Sequence, residues 1–167
     1  MTFYIFRHGA TYFSKNKIFY GDAVETAEIL PENTPIIKKL ASYLKKVSID
    51  KGFTSPYKRS VQTTDIIKKE IGLEFEIDDR LGEQMMLYGK ETFKEFQKRL
   101  TDFVNEVKEK NYKNVAICSH GWPIAGLIAA ILKGKIQKID LLKYPETGEL
   151  IIIKDGKVET IDFNQKD

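Results

Sequence analysis

The segment Phe3-Tyr4-Ile5-Phe6-Arg7-His8-Gly9-Ala10-Thr11 decides the fold of this chain. Its four consecutive apolar or aromatic residues predict a buried strand, and Gly9 marks the point at which that strand ends. Such a run predicts a central strand in a sheet that is covered on both faces. Arg7, His8 and Gly9 stand at the carboxyl end of this strand, and ligands bind at that edge of open α/β sheets.

The three residues at this strand end have side chains suited to phosphate chemistry. Arginine offers a fixed positive fork for phosphate. Histidine serves as a nucleophile or proton carrier near neutral pH, and glycine lets an anion approach the backbone. Alone, the triplet Arg7-His8-Gly9 is a weak indicator of a phosphate site. The same three residues also occur at an ordinary strand end, where the arginine is solvated and the histidine caps the backbone. Its meaning depends on partners elsewhere in the chain.

The composition is that of one ordinary globular domain, residues 1–167. The chain has 167 residues, of which 42% are hydrophobic and 31% charged, and this suffices for a full core. No apolar run reaches transmembrane length, and no leader-like segment precedes the first strand. Cys118 is the only cysteine, so an intrachain disulfide is excluded. We therefore expect a cytoplasmic protein with no membrane partner.

The net charge of +3 does not predict a nucleic-acid partner. The basic residues are mostly lysines spread among glutamates, and neither a Lys/Arg block nor a zinc-finger or RNA-binding motif stands out. We interpret the charge as a solvated, lysine-rich surface.

The rest of the chain alternates between strand and helix patterns. The predicted elements are a loop with a short helical turn over residues 12–30, a helix from 33–35 to 47, a strand at 52–54, a helix from an N-cap at Ser55 to about 71, a strand at 73–77, a loop at 78–90, a helix opened by the capping box Thr92-x-x-Glu95, a strand at 114–118, a helix at 124–132 opened by Pro123, and strands at 148–154 and 157–163 joined by the turn Asp155-Gly156. This order predicts an α/β layered sheet with an antiparallel end.

Five side chains can converge on the carboxyl edge of this sheet. Each of the two histidines follows a predicted buried strand and precedes a glycine. Arg59 lies in the first turn of its helix and leans back toward the same edge, because helical side chains tilt toward the N-terminus. The full set is Arg7, His8, Arg59, Glu83 and His120.

These residues and their spacing resemble the histidine phosphatase superfamily, also called phosphoglycerate mutase-like, and within it a small-cap member. The resemblance covers most of the chain in the family's order. The matching motifs are Arg7-His8-Gly9-x-Thr11, Ser55-Pro56-x-x-Arg59-x-x-Gln62-Thr63, Leu81-Gly82-Glu83, Glu91-Thr92 with Arg99, and the segment 115–121 that ends in Ser119-His120-Gly121.

The resemblance implies a three-layer α/β/α sandwich with a mostly parallel sheet and an antiparallel C-terminal hairpin. It also implies a phosphoric monoester hydrolase that works through a phosphohistidine and needs no metal ion or other cofactor. In that reading His8 is the nucleophile, and Glu83 donates a proton to the leaving oxygen and then activates water. Arg7, Arg59 and His120 hold the phosphoryl oxygens. The backbone amides at the start of the helix that contains Gly121 are further donors to these oxygens.

Departures from the family pattern limit the reading. Ser14 stands where an asparagine is common, so we expect it to bind substrate with a shorter reach. Only residues 84–90 separate Glu83 from Glu91, where mutases and sugar bisphosphatases have a larger insertion. The site is therefore expected to be open, and a glycolytic mutase is disfavoured. Glu91 remains a rival for the acid role.

Several alternatives stay open at this point. The substrate is a phosphorylated small molecule or a phosphoprotein, so a protein phosphohistidine phosphatase is the main rival, with a phosphoglycerate mutase-type phosphotransferase and a non-catalytic phosphate-binding module behind it. A metal site of His8, His120 and Glu83 is disfavoured by the neighbouring arginines. Trp122 is expected to pack at its helix start. The oligomeric state is open.

Overall fold

The apolar run that opens the chain forms an interior strand. In a computed structural model, which describes residues 1–165, β1 (Thr2–Arg7) lies between β4 (Asn114–Ser119) and β5 (Glu149–Lys154). It runs parallel to β4 and antiparallel to β5. The four apolar residues of β1 are at most 7% exposed, so the prediction of a central buried strand is confirmed.

The sheet has the order β3-β2-β4-β1-β5-β6 within the described part of the chain. Its first four members run parallel, and the last two form an antiparallel hairpin. The remaining elements are β2 (Lys51–Thr54), β3 (Phe75–Ile77), β6 (Lys157–Asp162), α1 (Tyr12–Asn16), α2 (Thr34–Val47), α3 (Lys58–Ile71), α4 (Phe93–Lys108) and α5 (Gly121–Lys133). The predicted fold class is confirmed. The last two residues of the predicted domain, 166 and 167, lie outside the described residues.

Helices cover both faces of the sheet, and β1 contributes side chains to each core. Phe3 and Ile5 pack in the cluster that contains the apolar faces of α4 and α5. Tyr4 and Phe6 pack in the opposite cluster, with α2 and with Ile67 of α3. This alternation follows from the two-residue period of a strand. Between residues 1 and 165 no helix is long and apolar enough to cross a membrane.

Two element starts differ from the sequence prediction. Helix α3 begins at Lys58 after the extended Tyr57, so Ser55 lies before its N-cap. The Ser55 hydroxyl accepts from the Tyr57 amide over 3.3 Å and lies 2.7 Å from Nε2 of His120. Helix α5 begins at Gly121 rather than after Pro123. Proline is tolerated in a first turn, whose N–H groups have no partner inside the helix, so Pro123 does not mark the start.

The register of the parallel strands places their carboxyl ends level with one another. Arg7 pairs with Ser119, and Thr54 pairs with Cys118. The next residue of each strand continues this alignment: the amide of His8 donates to the carbonyl of Ser119 over 3.1 Å. The sheet therefore delivers three consecutive strand ends to one edge, as the candidate site requires.

Candidate active site

The two histidines of the chain lie side by side at this sheet edge. Their ring centroids are 5.2 Å apart, and both side chains are completely buried. His8 follows β1 and His120 follows β4, and these strands are neighbours in register. The level strand ends are thus what brings together two residues that are more than a hundred positions apart.

One nitrogen of His8 is committed and the other is free. Nδ1 lies 2.8 Å from the carbonyl oxygen of Gly9, which can only accept, so Nδ1 carries the proton. Nε2 therefore holds the ring's lone pair. Among the described residues this buried atom has no hydrogen-bond partner. The local backbone has set the tautomer that leaves Nε2 available as a nucleophile or an acceptor.

Both imidazoles are held in the neutral form. Burial, and after it the charges of Arg59 and Arg7, keeps the pKa of His8 well below its ordinary value. The pKa of His120 is lowered in the same way, first by burial and then by Arg59 and His8. Desolvation penalises the charged ring, and the nearby guanidiniums repel it.

Arg59 is buried with part of its guanidinium unused. It is completely buried, its Nη1 donates to the carbonyl of Val24, and its Cζ lies 4.2 Å from the ring centroid of Tyr20. Arg7 lies at the same sheet edge, with its Cζ 5.5 Å from the ring centroid of Tyr144. These contacts fix the two cations and leave donors over for a ligand.

Glu83 brings a carboxyl group to the same place. Its Oε2 lies 3.5 Å from Nη2 of Arg59 and 3.8 Å from Nδ1 of His120. Burial raises the pKa of Glu83, and the charge of Arg59 opposes that rise only in part. A carboxyl group with this shift is a candidate proton donor.

Unsatisfied polar atoms are concentrated in this site. Within residues 1–165, six buried side-chain nitrogen or oxygen atoms lack a hydrogen-bond partner, and five of them belong to site residues. These five are Arg7 Nε, His8 Nε2, Arg59 Nε, Arg59 Nη2 and His120 Nδ1. Because buried polar atoms are otherwise nearly always paired, such a cluster indicates a site for a ligand. Two guanidiniums select an anion with several acceptor oxygens.

Arg99 of α4 holds the loop that carries Glu83. Its Nη1 donates to the carbonyls of Arg80 and Gly82 over 2.5 and 3.0 Å, and its Nη2 donates to the carbonyl of Glu83 over 3.0 Å. Both oxygens of the Glu91 carboxylate accept from the same guanidinium, over 2.5 and 3.1 Å. Glu91, the rival acid of the sequence analysis, is thus engaged in fixing this loop.

Ser55 has a role that the sequence analysis did not find. Its hydroxyl lies 2.7 Å from Nε2 of His120, and the ring of Tyr57 lies 5.3 Å from that of His120. Ser55 follows β2 as His8 follows β1 and His120 follows β4. Its place directly after a buried strand was the feature that could have revealed it.

The structure places the remaining candidates around the edge of the site. The Ser14 hydroxyl accepts from the backbone amide of Thr11 over 2.9 Å as part of the α1 capping box, and Ser14 lines a depression beside Arg7. Gly121 is the first residue of α5, and a Cβ there would lie 2.9 Å from the Tyr144 ring.

Two residues near the site are accounted for by packing. A Cβ on Gly9 would lie 2.8 Å from Oδ1 of Asn33 and 2.9 Å from Cδ1 of Ile37 in α2, so packing against the start of α2 leaves no room for a side chain there. Cys118 is fully buried, and burial raises the pKa of its thiol to about 12, which suits a small apolar residue. In the part of the chain that the structure describes, no group of three or more His, Cys, Asp or Glu side chains is arranged to hold a metal ion.

Comparisons with known proteins identify a family and a fold. A family model described as "Histidine phosphatase superfamily (branch 1)" matches residues 3–87 and 84–163. A curated protein of Hydrogenobacter thermophilus named "Putative phosphoserine phosphatase 2" is 21% identical over 193 residues, which cover 98% of this chain and 94% of the relative.

Solved structures match in fold at lower identity. The α-ribazole phosphatase of Shigella flexneri is 18% identical with a TM-score of 0.78, covering 99% of this chain and 96% of that one. A mycobacterial glucosyl-3-phosphoglycerate phosphatase in complex with VO3 is 18% identical with a TM-score of 0.77, covering 96% of each chain. The phosphoglycerate mutase of Bacillus anthracis is also 18% identical, with a TM-score of 0.72, covering 98% of this chain and 94% of the other.

The lowered histidine pKa values predict an unusual titration. As the pH falls through about 6.5, where an ordinary histidine takes up its proton, both rings should stay neutral, and His8 should remain protonated on Nδ1 alone. Nitrogen-15 NMR of the uniformly labelled protein measures this directly, since the chain has only two histidines. The same sample in denaturing urea serves as the control and should titrate normally. Protonation of His8 near the ordinary value in the folded protein would contradict the prediction.

Proposed function

This chain belongs to the histidine phosphatase superfamily, and from that membership together with its site we propose that it is a metal-independent phosphatase of phosphomonoesters. The observation that carries the proposal is the group of five unpartnered buried atoms on Arg7, His8, Arg59 and His120. Four of them are on groups that donate to phosphoryl oxygens, and the fifth is the lone pair of His8 Nε2. A phosphoryl group satisfies all of them at once.

The first step transfers the phosphoryl group to His8. Nε2 attacks the phosphorus while the bond to the ester oxygen breaks, and Glu83 gives its proton to that oxygen, so that an alcohol leaves. Arg7, Arg59 and His120 hold the equatorial oxygens, where positive charge and alignment supply most of the catalysis. The bond from His8 Nδ1–H to the Gly9 carbonyl keeps the ring oriented as it becomes positive.

The second step releases inorganic phosphate. The Glu83 carboxylate, now deprotonated, takes a proton from water as the water oxygen attacks the phosphorus and the bond to Nε2 breaks. The lone pair returns to His8, and Glu83 is again protonated. One residue thus serves as acid and then as base, as reversal of the first step requires.

The position and environment of Glu83 favour an oxygen ester as the substrate. An alkoxide leaving group needs a proton, and the raised pKa of Glu83 keeps a proton available for it. The nitrogen leaving group of a phosphohistidine protein needs less help from an acid. Because Glu91 is bound by Arg99, Glu83 is the carboxyl group that we assign to this role. We assign Gly121 to the oxygens through its backbone amide, and we place Ser14 at the mouth of the site.

Replacement of His8 tests the proposal. His8→Ala and His8→Asn should each reduce the hydrolysis of 4-nitrophenyl phosphate by roughly a thousand-fold or more, because the nucleophile is lost. The wild-type protein should keep its full rate in excess EDTA. Circular dichroism and thermal unfolding of both variants control for the fold. Activity that survives in a folded His8 variant, or that EDTA abolishes, would disprove this mechanism.

The acid role of Glu83 predicts how rate depends on leaving group and pH. As the pH rises through the raised pKa of Glu83, the proton is lost and kcat/KM for an alkyl phosphate should fall. Glu83→Gln should remove this limb and slow alkyl phosphates by about 10²–10⁴-fold, with a much smaller effect on 4-nitrophenyl phosphate.

Glu146→Gln is the matched control for this experiment. Glu146 is an exposed carboxylate 3.8 Å from Nη1 of Arg7, and the mechanism gives it no proton to transfer. The variant should keep both the pH limb and the wild-type dependence on the leaving group. If Glu83→Gln slows good and poor leaving groups equally, another group is the acid.

A further inference from the structure

An apolar cleft lies beside the proposed phosphate site. Its volume is about 650 Å³, and six of its eight lining residues are apolar or aromatic. The lining consists of Met86, Glu91, Phe93, Trp122, Lys138, Leu141, Leu142 and Tyr144. Of the two charged members, Glu91 is neutralised by Arg99. A concave, largely apolar surface of this size is typical of the part of a site that binds an organic ligand.

The cleft adjoins the site at two aromatic residues. A smaller pocket of about 210 Å³ is lined by Arg7, Glu83 and Gly121 among others, and it shares Trp122 and Tyr144 with the apolar cleft. Glu83 belongs to this smaller pocket, so the cleft adjoins the side of the site from which the leaving oxygen receives its proton. The alcohol part of a bound ester must extend from that side.

Two leucines that line the cleft and the smaller pocket are largely exposed to solvent. Leu142 is 80% exposed at the end of the short 3₁₀ helix Lys138–Leu142, and Leu87, in the lining of the smaller pocket, is 62% exposed. Apolar side chains clustered beside polar catalytic groups mark ligand or partner sites. Because this apolar surface adjoins the pocket that Glu83 lines, the ligand that it suits best is the substrate of the same site.

We propose that the apolar cleft binds the alcohol part of the substrate, so that this enzyme prefers phosphomonoesters of bulky apolar or aromatic alcohols over small polar ones. This inference rests on the proposed phosphatase function and adds the class of substrate. Phosphate is held by the arginines and histidines, and discrimination among esters comes from contact with Trp122, Tyr144 and Leu142.

A series of unbranched alkyl phosphates, from ethyl to octyl, tests the preference. The pKa of the alcohol barely changes along the series, so differences in kcat/KM report burial of the chain. We expect kcat/KM to rise by about two- to four-fold per methylene until the cleft is filled. If kcat/KM stays constant along the series while turnover is good, the proposed role of the cleft is wrong and the proposed phosphatase function still stands. Absence of hydrolysis across the series and for 4-nitrophenyl phosphate would overturn the proposed function instead.

Two aliphatic side chains of the 3₁₀ helix Lys138–Leu142 provide a matched pair of variants. Leu142→Ser removes an apolar group from the cleft, whereas Ile139→Ser removes one that is 70% exposed and does not line it. The ratio of kcat/KM between octyl and ethyl phosphate should fall at least about five-fold in Leu142→Ser and remain at the wild-type value in Ile139→Ser. Equal ratios in both variants would contradict the proposal.

Trp122 gives a readout that does not depend on turnover. It is the only tryptophan in the chain, and it lines both the cleft and the smaller pocket. Octylphosphonate, which cannot be hydrolysed, should shift its fluorescence to shorter wavelength and bind at least ten-fold more tightly than methylphosphonate. Equal affinity for the two would overturn the proposal. A dimer in sedimentation that Leu142→Ser dissociates, together with a flat alkyl series, would assign the cleft to a second copy of the chain.

Discussion

The register between two neighbouring parallel strands is the constraint on which the rest of this structure depends. Because Arg7 pairs with Ser119, the residues that follow, His8 and His120, leave the sheet side by side with their ring centroids 5.2 Å apart. A slip of one residue would turn one of the rings away from the site and exchange the two faces of a core strand. Main-chain hydrogen bonds and two apolar cores therefore fix the position of both imidazoles before any ligand arrives.

Burial shifts the pKa values of the histidines and of Glu83 in opposite directions, and these shifts suit complementary roles. Removal from water lowers the pKa of both histidines and raises that of Glu83. At one pH the same environment thus favours a neutral imidazole and a protonated carboxyl group, which is the pairing that a nucleophile and a general acid require. Two nitrogens of the buried Arg59 have no hydrogen-bond partner, and an anion can accept from both. We propose that these donors supply affinity for the phosphate and that the apolar cleft supplies selectivity among its esters.

Local sequence patterns predicted most of the fold, and long-range contacts account for what they missed. The capping box of Thr92 and the Asp155-Gly156 turn formed as expected, because each is decided by neighbouring residues. The predicted starts of α3 and α5 were wrong. Ser55 lies at the end of β2 beside His120, 65 positions away, and α5 begins two residues before Pro123, which a first turn tolerates. The convergence of five candidate site residues was predicted from strand ends and motif order, and the sheet places those residues at one edge. No sequence pattern predicted the hydrogen bonds from Arg99 to three carbonyls of the Glu83 loop, or the cleft at Trp122. Both arise only when distant segments of the chain pack together.

Trapping of the covalent intermediate tests the central claim most directly. The wild-type protein is mixed with a radiolabelled phosphomonoester, quenched in alkali within milliseconds, and digested for mass spectrometry. We expect a phosphoryl group on His8 that is stable in alkali and lost in acid, as is typical of a phosphorus–nitrogen bond, at a level that decays at the rate of phosphate release. A label on another residue, or steady turnover with no protein-bound label at any time, would contradict it.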